Sequence, residues 1–134
     1  MPDINDVCGG LADAVEAVSG LRALPYVSSQ VTPPQAHVYT RAYDPRLVFG
    51  DSKSMYLLGV RVFVRATNER SAQKSLRSYM EPSGATSVRA QIEDSDNWAP
   101  TVDYVEVTEI GQPFELDVGS ETYWAVDFDV DILW

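Results

Sequence analysis

Three carboxylates alternate along one stretch near the C-terminus: Asp127, Asp129 and Asp131, separated by Phe128 and Val130. In a β-strand that alternation puts all three on one face, about 6.6–6.8 Å from one to the next. Two carboxylates across a cleft are the equipment of a glycoside hydrolase, but nothing else in the sequence builds such a cleft. Cross-strand pairing with Arg61 and Arg65, which alternate in the same way, explains the pattern without catalysis. An exposed acidic face with a binding use is the other reading. Glu93, Asp94, Asp96 and Asn97 resemble the opening of a calcium loop. The glycine of its sharp turn is missing, however, and Trp98-Ala99-Pro100 stands where later ligands belong. A solvated loop anchored by Trp98 fits better. His37 is the single imidazole, two residues past Gln35 and without an adjacent Ser or Cys, which marks a structural histidine. The single cysteine, Cys8, has no disulfide partner in the chain, and one Cys with one His makes no Cys/His zinc site. There is no phosphate-binding Gly-rich loop and no Gly-x-Ser-x-Gly elbow. The expectation is a protein with no catalytic, cofactor-binding or metal-binding residues.

The elements that position these residues belong to a chain of 134 residues, the size of one domain spanning residues 1–134. Its 45% hydrophobic content can supply a core. The net charge of −10 is unevenly placed. All ten Lys and Arg lie at or before Arg89, where they meet eight acids; residues 93–134 hold twelve acids and no Lys or Arg. One strongly acidic surface follows, and such a surface repels nucleic acid. Asp3 and Asp6 stand where a signal peptide would be basic. The apolar run Met55 to Val60 is broken by Arg61 and is far too short to span a bilayer. The expectation is a chain kept in a reducing cytosol, with no membrane partner.

Asp3 is a candidate N-cap for a first helix carrying Ile4, Val7, Leu11, Val15 and Val18 at helical spacing and stopping at Gly20. Gly9-Gly10 inside it costs about 2 kcal/mol against two alanines and suggests a close approach there. Pro25, Pro33 and Pro34 make the next stretch extended and loop-like. Val38 to Tyr43 and Tyr56 to Ala66 read as strands paired in a long hairpin. Leu47, Val48 and Phe49, near its tip, are more apolar than a loop tip requires; they either reach a neighbouring subunit or tuck back onto their own sheet. Asn68 caps a second helix with Ala72, Leu76, Tyr79 and Met80 inward, ended by Pro82. Thr86 or Ser87 caps a short third helix. Val102 to Ile110, Phe114 to Val118 and a final run with Trp124, Val126, Phe128, Val130 and Ile132 inward read as strands. The order predicts an α+β fold: a mostly antiparallel or mixed sheet of four to five strands, with two to three helices packed on one face.

The chain also resembles the tail terminator proteins of long, non-contractile-tailed phages, most of all those of actinobacterial phages. The resemblance rests on segments in order over nearly the whole chain. They are the helix ending in Gly20-Leu21, Val31-Thr32-Pro33-Pro34-Gln35-Ala36 leading into a strand, Tyr43-Asp44 to Phe49-Gly50, and the strand Val60-Arg61-Val62-Phe63-Val64. The helix Ser71 to Leu76, the segment Ser83-Gly84-Ala85-Thr86-Ser87-Val88-Arg89-Ala90-Gln91-Ile92-Glu93 and a C-terminal strand pair follow. The Pro-Pro turn and the Ser-Gly-x-x-Ser-Val segment are the most particular. After the third helix the family loop tends to be Gly-rich, whereas here it reads Asp96-Asn97-Trp98-Ala99-Pro100.

The resemblance implies a virion structural protein at the tail-neck junction, assembled in the host cytoplasm. Such proteins form a hexameric ring that ends tail-tube polymerisation, meets the tail tube protein on one side and docks to the head-tail connector on the other. DNA passes through the bore without specific binding. Leu47, Val48 and Phe49 are then candidates for the subunit interface. Glu93, Asp94, Asp96, Glu106, Glu115, Asp117, Asp127, Asp129 and Asp131 are candidates for an acidic bore or rim that keeps DNA from sticking. Another head–tail joining protein, or a small cytosolic α+β binding module, is the alternative.

Overall fold

The computed structural model describes residues 3–44, 55–65, 68–98 and 104–133. The fold is α+β, with three helices and a six-stranded mixed sheet. Helix α1 spans Ile4–Glu16, and Asp3 caps it as the sequence predicts. The Asp3 carboxylate accepts the Asp6 N–H at 2.8 Å while the Asp6 carboxylate accepts the Asp3 N–H at 3.1 Å, so two orphan amides are satisfied reciprocally. The helix stops four residues before Gly20. Ala17, Val18 and Leu21 continue in tight i→i−3 bonds to Ala14, Val15 and Val18, which leaves Val18 buried. Gly20 then turns the chain at φ +79°. The close approach expected at the glycines is not found at Gly9, where an added Cβ would meet nothing within 4 Å.

Strand β1 is only Arg22–Leu24, in the stretch read as loop-like from its prolines. It pairs parallel with β2 (Gln35–Asp44), and every other pairing in the sheet is antiparallel. Strand β3 (Met55–Arg65) lies beside β2 as the expected hairpin partner. Helix α2 (Glu69–Tyr79) is capped by Asn68, whose side chain accepts the Ser71 N–H. Ser87, not Thr86, caps helix α3 (Val88–Glu93). A 3-10 turn, Ser95–Asn97, leads to Trp98, which is buried and donates its indole N–H to the Ile92 carbonyl at 2.8 Å. Trp98 is thus the anchor its loop requires.

Strands β4 (Tyr104–Ile110), β5 (Phe114–Val118) and β6 (Glu121–Leu133) complete the sheet, in the order β1-β2-β3-β6-β4. One edge of β6 is taken by β3 along its length. Because a strand has two edges, β4 and β5 share the other, β4 against residues 128–133 and β5 against residues 121–125. The Gly111 N–H to the Asp127 carbonyl, 2.9 Å, carries the ladder across the gap. Strands β4 and β5 are in effect one interrupted strand folded back onto β6 through Gly119, at φ +64°.

Strand alternation divides the sheet into two faces. Tyr56, Leu58, Val60, Val62 and Val64 of β3 join Val126, Phe128, Val130 and Ile132 of β6 in one buried cluster with the apolar stripes of all three helices. This is the inner face, and the helices cover it.

Candidate functional site

The outer face carries the chemistry-bearing residues, because it receives the odd positions of β3 and β6. Arg61 and Asp127 are direct cross-strand partners. The guanidinium donates Nε–H to Oδ1 at 2.7 Å and Nη2–H to Oδ2 at 3.0 Å, a bidentate pair. The Tyr39 and Phe114 rings each lie 5.4 Å from the guanidinium, so the cation is flanked by two π faces. The Asp127 hydrogen bond holds the Arg61 pKa above its ordinary value. Burial, with Asp127 next, raises the Tyr39 phenol to about 12. Gly59 makes room for that ring, since a Cβ there would come within 2.2 Å of Tyr39 Cζ.

The pairing expected from sequence holds for Arg61 and not for Arg65. Arg65 stands opposite Tyr123 and is exposed. Arg41, which the sequence reading missed, takes the second place. It sits at a bulge in β2 between Thr40 and Ala42. Its Nε–H donates to the Leu58 carbonyl at 2.7 Å, and its Nη2 reaches across β3 to Asp131 at 2.7 Å. Asp129 is 3.6 Å from Nε. The signal was present: Tyr39 and Arg41 alternate as Arg61 and Phe63 do.

The nine acidic candidates therefore separate. Asp127 is neutralised by Arg61, and Asp129 and Asp131 share Arg41, so these three follow the cross-strand pairing reading with Arg41 in the place of Arg65. Glu93 is structural: its carboxylate accepts the Arg89 Nε–H at 3.2 Å and the Val107 N–H at 3.0 Å, tying α3 to β4. Asp94 accepts the Asp96 N–H at 3.0 Å in a local turn, so the two acids of the calcium-like segment that the structure uses are engaged by protein donors. Asp96, Glu106, Glu115 and Asp117 are exposed; the Tyr104 hydroxyl donates to Glu106, and the Thr122 hydroxyl donates to Asp117 at 2.6 Å. Leu47, Val48 and Phe49 lie outside the described residues.

His37 is buried on the same outer face at the end of β2 nearest β1. Its Nδ1 accepts the Ser28 N–H at 3.4 Å and its Nε2–H donates to Gln35 Oε1 at 3.1 Å. Gln35 Oε1 also accepts the Thr32 N–H. The imidazole thereby holds the 28–32 segment over Phe63, whose ring is 4.8 Å away. Burial, then the Arg61 charge, lowers its pKa. An open concavity of about 490 Å³ lies between Thr32-Pro33, Arg65 and Glu121 to Tyr123.

No family model matches the chain, and no curated protein matches it. Among the described residues no helix is long and apolar enough to cross a membrane.

Proposed function

We propose that this chain is a subunit of a hexameric ring that caps a phage tail tube, ends its growth and joins it to the head connector. The single observation that carries the reading is the outer sheet face. Helices cover the inner face, while the outer one is crossed by charged belts and flanked by strand edges, at β1 and at β4–β5, that pair with nothing among the described residues. Unpaired edges and an uncovered face are what a subunit needs for contact with its neighbours. The ordered segments that resemble tail terminators give that contact its setting. The protein then works by contact and not by catalysis, as a component of the virion tail-neck junction without cofactor or metal.

In this reading Leu47, Val48 and Phe49 of the β2–β3 connection meet an adjacent subunit. Four of the five candidate carboxylates without a cationic partner among the described residues, Asp94, Asp96, Glu115 and Asp117, supply the bore or its rim; the fifth, Glu106, lies on β4 opposite Asp131. DNA passes them without binding, because like charges repel over a Debye length of about 8 Å at physiological salt. The concavity beside Arg65 is what favours the second reading, a small binding module.

A density map of the particle neck tests the proposal. A sixfold ring of this chain between tube and connector, with carboxylates on the channel wall, is the expected result. Particles lacking the chain should carry tails of uncontrolled length. Tails of normal length without it would overturn the assignment.

A further inference from the structure

Among the described residues the outer face holds a charge conflict that one arginine only partly offsets. Glu106 of β4 stands directly opposite Asp131 of β6, and Glu109 stands opposite Asp129. Like charges directly opposite on neighbouring strands destabilise a sheet. Among the described residues only Arg41 is within ion-pair distance of any of these four carboxylates. Among the described residues the patch thus keeps an excess of negative charge, open to a cationic surface of a second molecule.

A stripe of opposite charge lies elsewhere in the same chain. Arg70, Lys74 and Arg77 follow i, i+4, i+7 spacing on α2, opposite its buried side of Ala72, Leu76 and Tyr79. All three are exposed, and no ion pair to any of them exists among the described residues. The stripe is about 10.5 Å long by helical rise. A bulge in β4 sets Glu106 and Glu109 opposite Asp131 and Asp129, two residues of β6, about 6.6–6.8 Å apart. Helix α2 packs on the inner face of the sheet with its cations turned away from it, so a chain cannot lay its own stripe on its own outer face.

We infer that copies of this chain join head to tail, with the α2 stripe of one seated on the Glu106–Glu109 patch of the next. The contact is heterologous: the two surfaces differ, so each subunit offers one and accepts the other, and a fixed rotation closes a ring. The inference deepens the ring reading above and rests on it for the identity of the partner.

The test uses two variants of the full chain at exposed positions, Lys74→Glu with Arg77→Glu, and Glu106→Lys with Glu109→Lys, with circular dichroism to verify folding. Sedimentation reads association. The wild-type chain should associate at about 0.01 M salt and disperse at about 1 M, where the Debye length falls from about 30 Å to about 3 Å. Each variant alone should associate about tenfold more weakly or worse, because the pairs at the reversed positions become like-charged. An equal mixture of the two should regain association, since each carries the complement of the other. If a reversal variant fails to fold, Lys74→Gln with Arg77→Gln reads the same loss without new charge. Variants that associate as the wild type does, or a mixture that regains nothing, overturn the contact and leave the ring standing on other surfaces. A wild-type chain that stays monomeric at low salt overturns the contact and leaves the ring to the neck map. Binding of duplex DNA by the stripe in place of self-association also overturns it.

Discussion

The two faces of the sheet are built from the same strands by opposite means. On the inner face the even positions of β3 and, from Trp124 on, of β6 are Val, Leu, Ile, Phe, Tyr and Trp, packed against the helices. On the outer face the odd positions include Arg61, Asp127, Asp129 and Asp131, set beside Tyr39 and Phe114 and joined by hydrogen bonds between charged groups. The difference separates stability from interaction. Apolar burial is non-directional and contributes roughly in proportion to area, so the inner face gives the fold its free energy. Charged pairs at a partly wet surface contribute little net energy and much orientation, so the outer face is suited to choosing a neighbour.

The largest effect that can test this division is Phe128→Ala. Phe128 is fully buried and is among the largest such side chains. Its truncation should cost about 3–5 kcal/mol, the loss of transfer energy plus a cavity. Chemical denaturation measures it. A cost below about 1 kcal/mol would mean that the inner face is not the main source of stability.

Asp127→Ala, one position away on the opposite face, should cost about 1–2 kcal/mol. It removes a bidentate partner from a half-buried Arg61 that keeps its two aromatic neighbours. The double variant with Arg61→Met should recover part of that loss, because no unpaired guanidinium is left behind. A double variant no more stable than the sum of the two single losses would show that the pair does not act as a unit, and would sharpen the contrast into a purely apolar account.

This division was largely legible in the sequence, because period-two alternation assigns each residue of β3 and β6 to a face without knowledge of the partner strand. The caps Asp3, Asn68 and Ser87 were legible for a similar reason: an N-cap acts within three residues. Trp98 as the anchor of its loop was legible too, because a lone indole in an acidic stretch has to be buried. What was not legible depends on distant register. Arg41 reaches Asp131 only because β2 and β6 flank β3, a neighbour relation between residues 90 apart. Strand β1 escaped notice because three residues carry too little pattern to reveal a parallel pairing. Glu93 looked like a free acid because its acceptor role needs the Val107 N–H, brought to it by tertiary packing. The conflict of Glu106 with Asp131 likewise exists only once β4 is placed on β6.

The smallest effect concerns the one place where the outer face behaves like the inner. His37 is buried there among Gln35, Phe63 and the 28–32 segment, and its pKa lies below the ordinary imidazole value through burial and the nearby Arg61 charge. A group whose folded pKa is depressed binds fewer protons in the folded state than in the unfolded one. Its neutral form is therefore fully favoured above the unfolded pKa of about 6.5, and stability is lost as pH falls below that value toward the folded pKa. The slope is at most about 1.4 kcal/mol per pH unit. Because the chain has a single imidazole, the His37→Gln variant removes that side chain's proton uptake altogether. Denaturation midpoints between pH 7 and pH 5.5 should fall for the wild-type chain and stay nearly level for the variant. Parallel pH dependence in both would show that His37 titrates alike in the two states. The imidazole would then be wet, and the burial that makes this corner of the outer face resemble the core would not hold in solution.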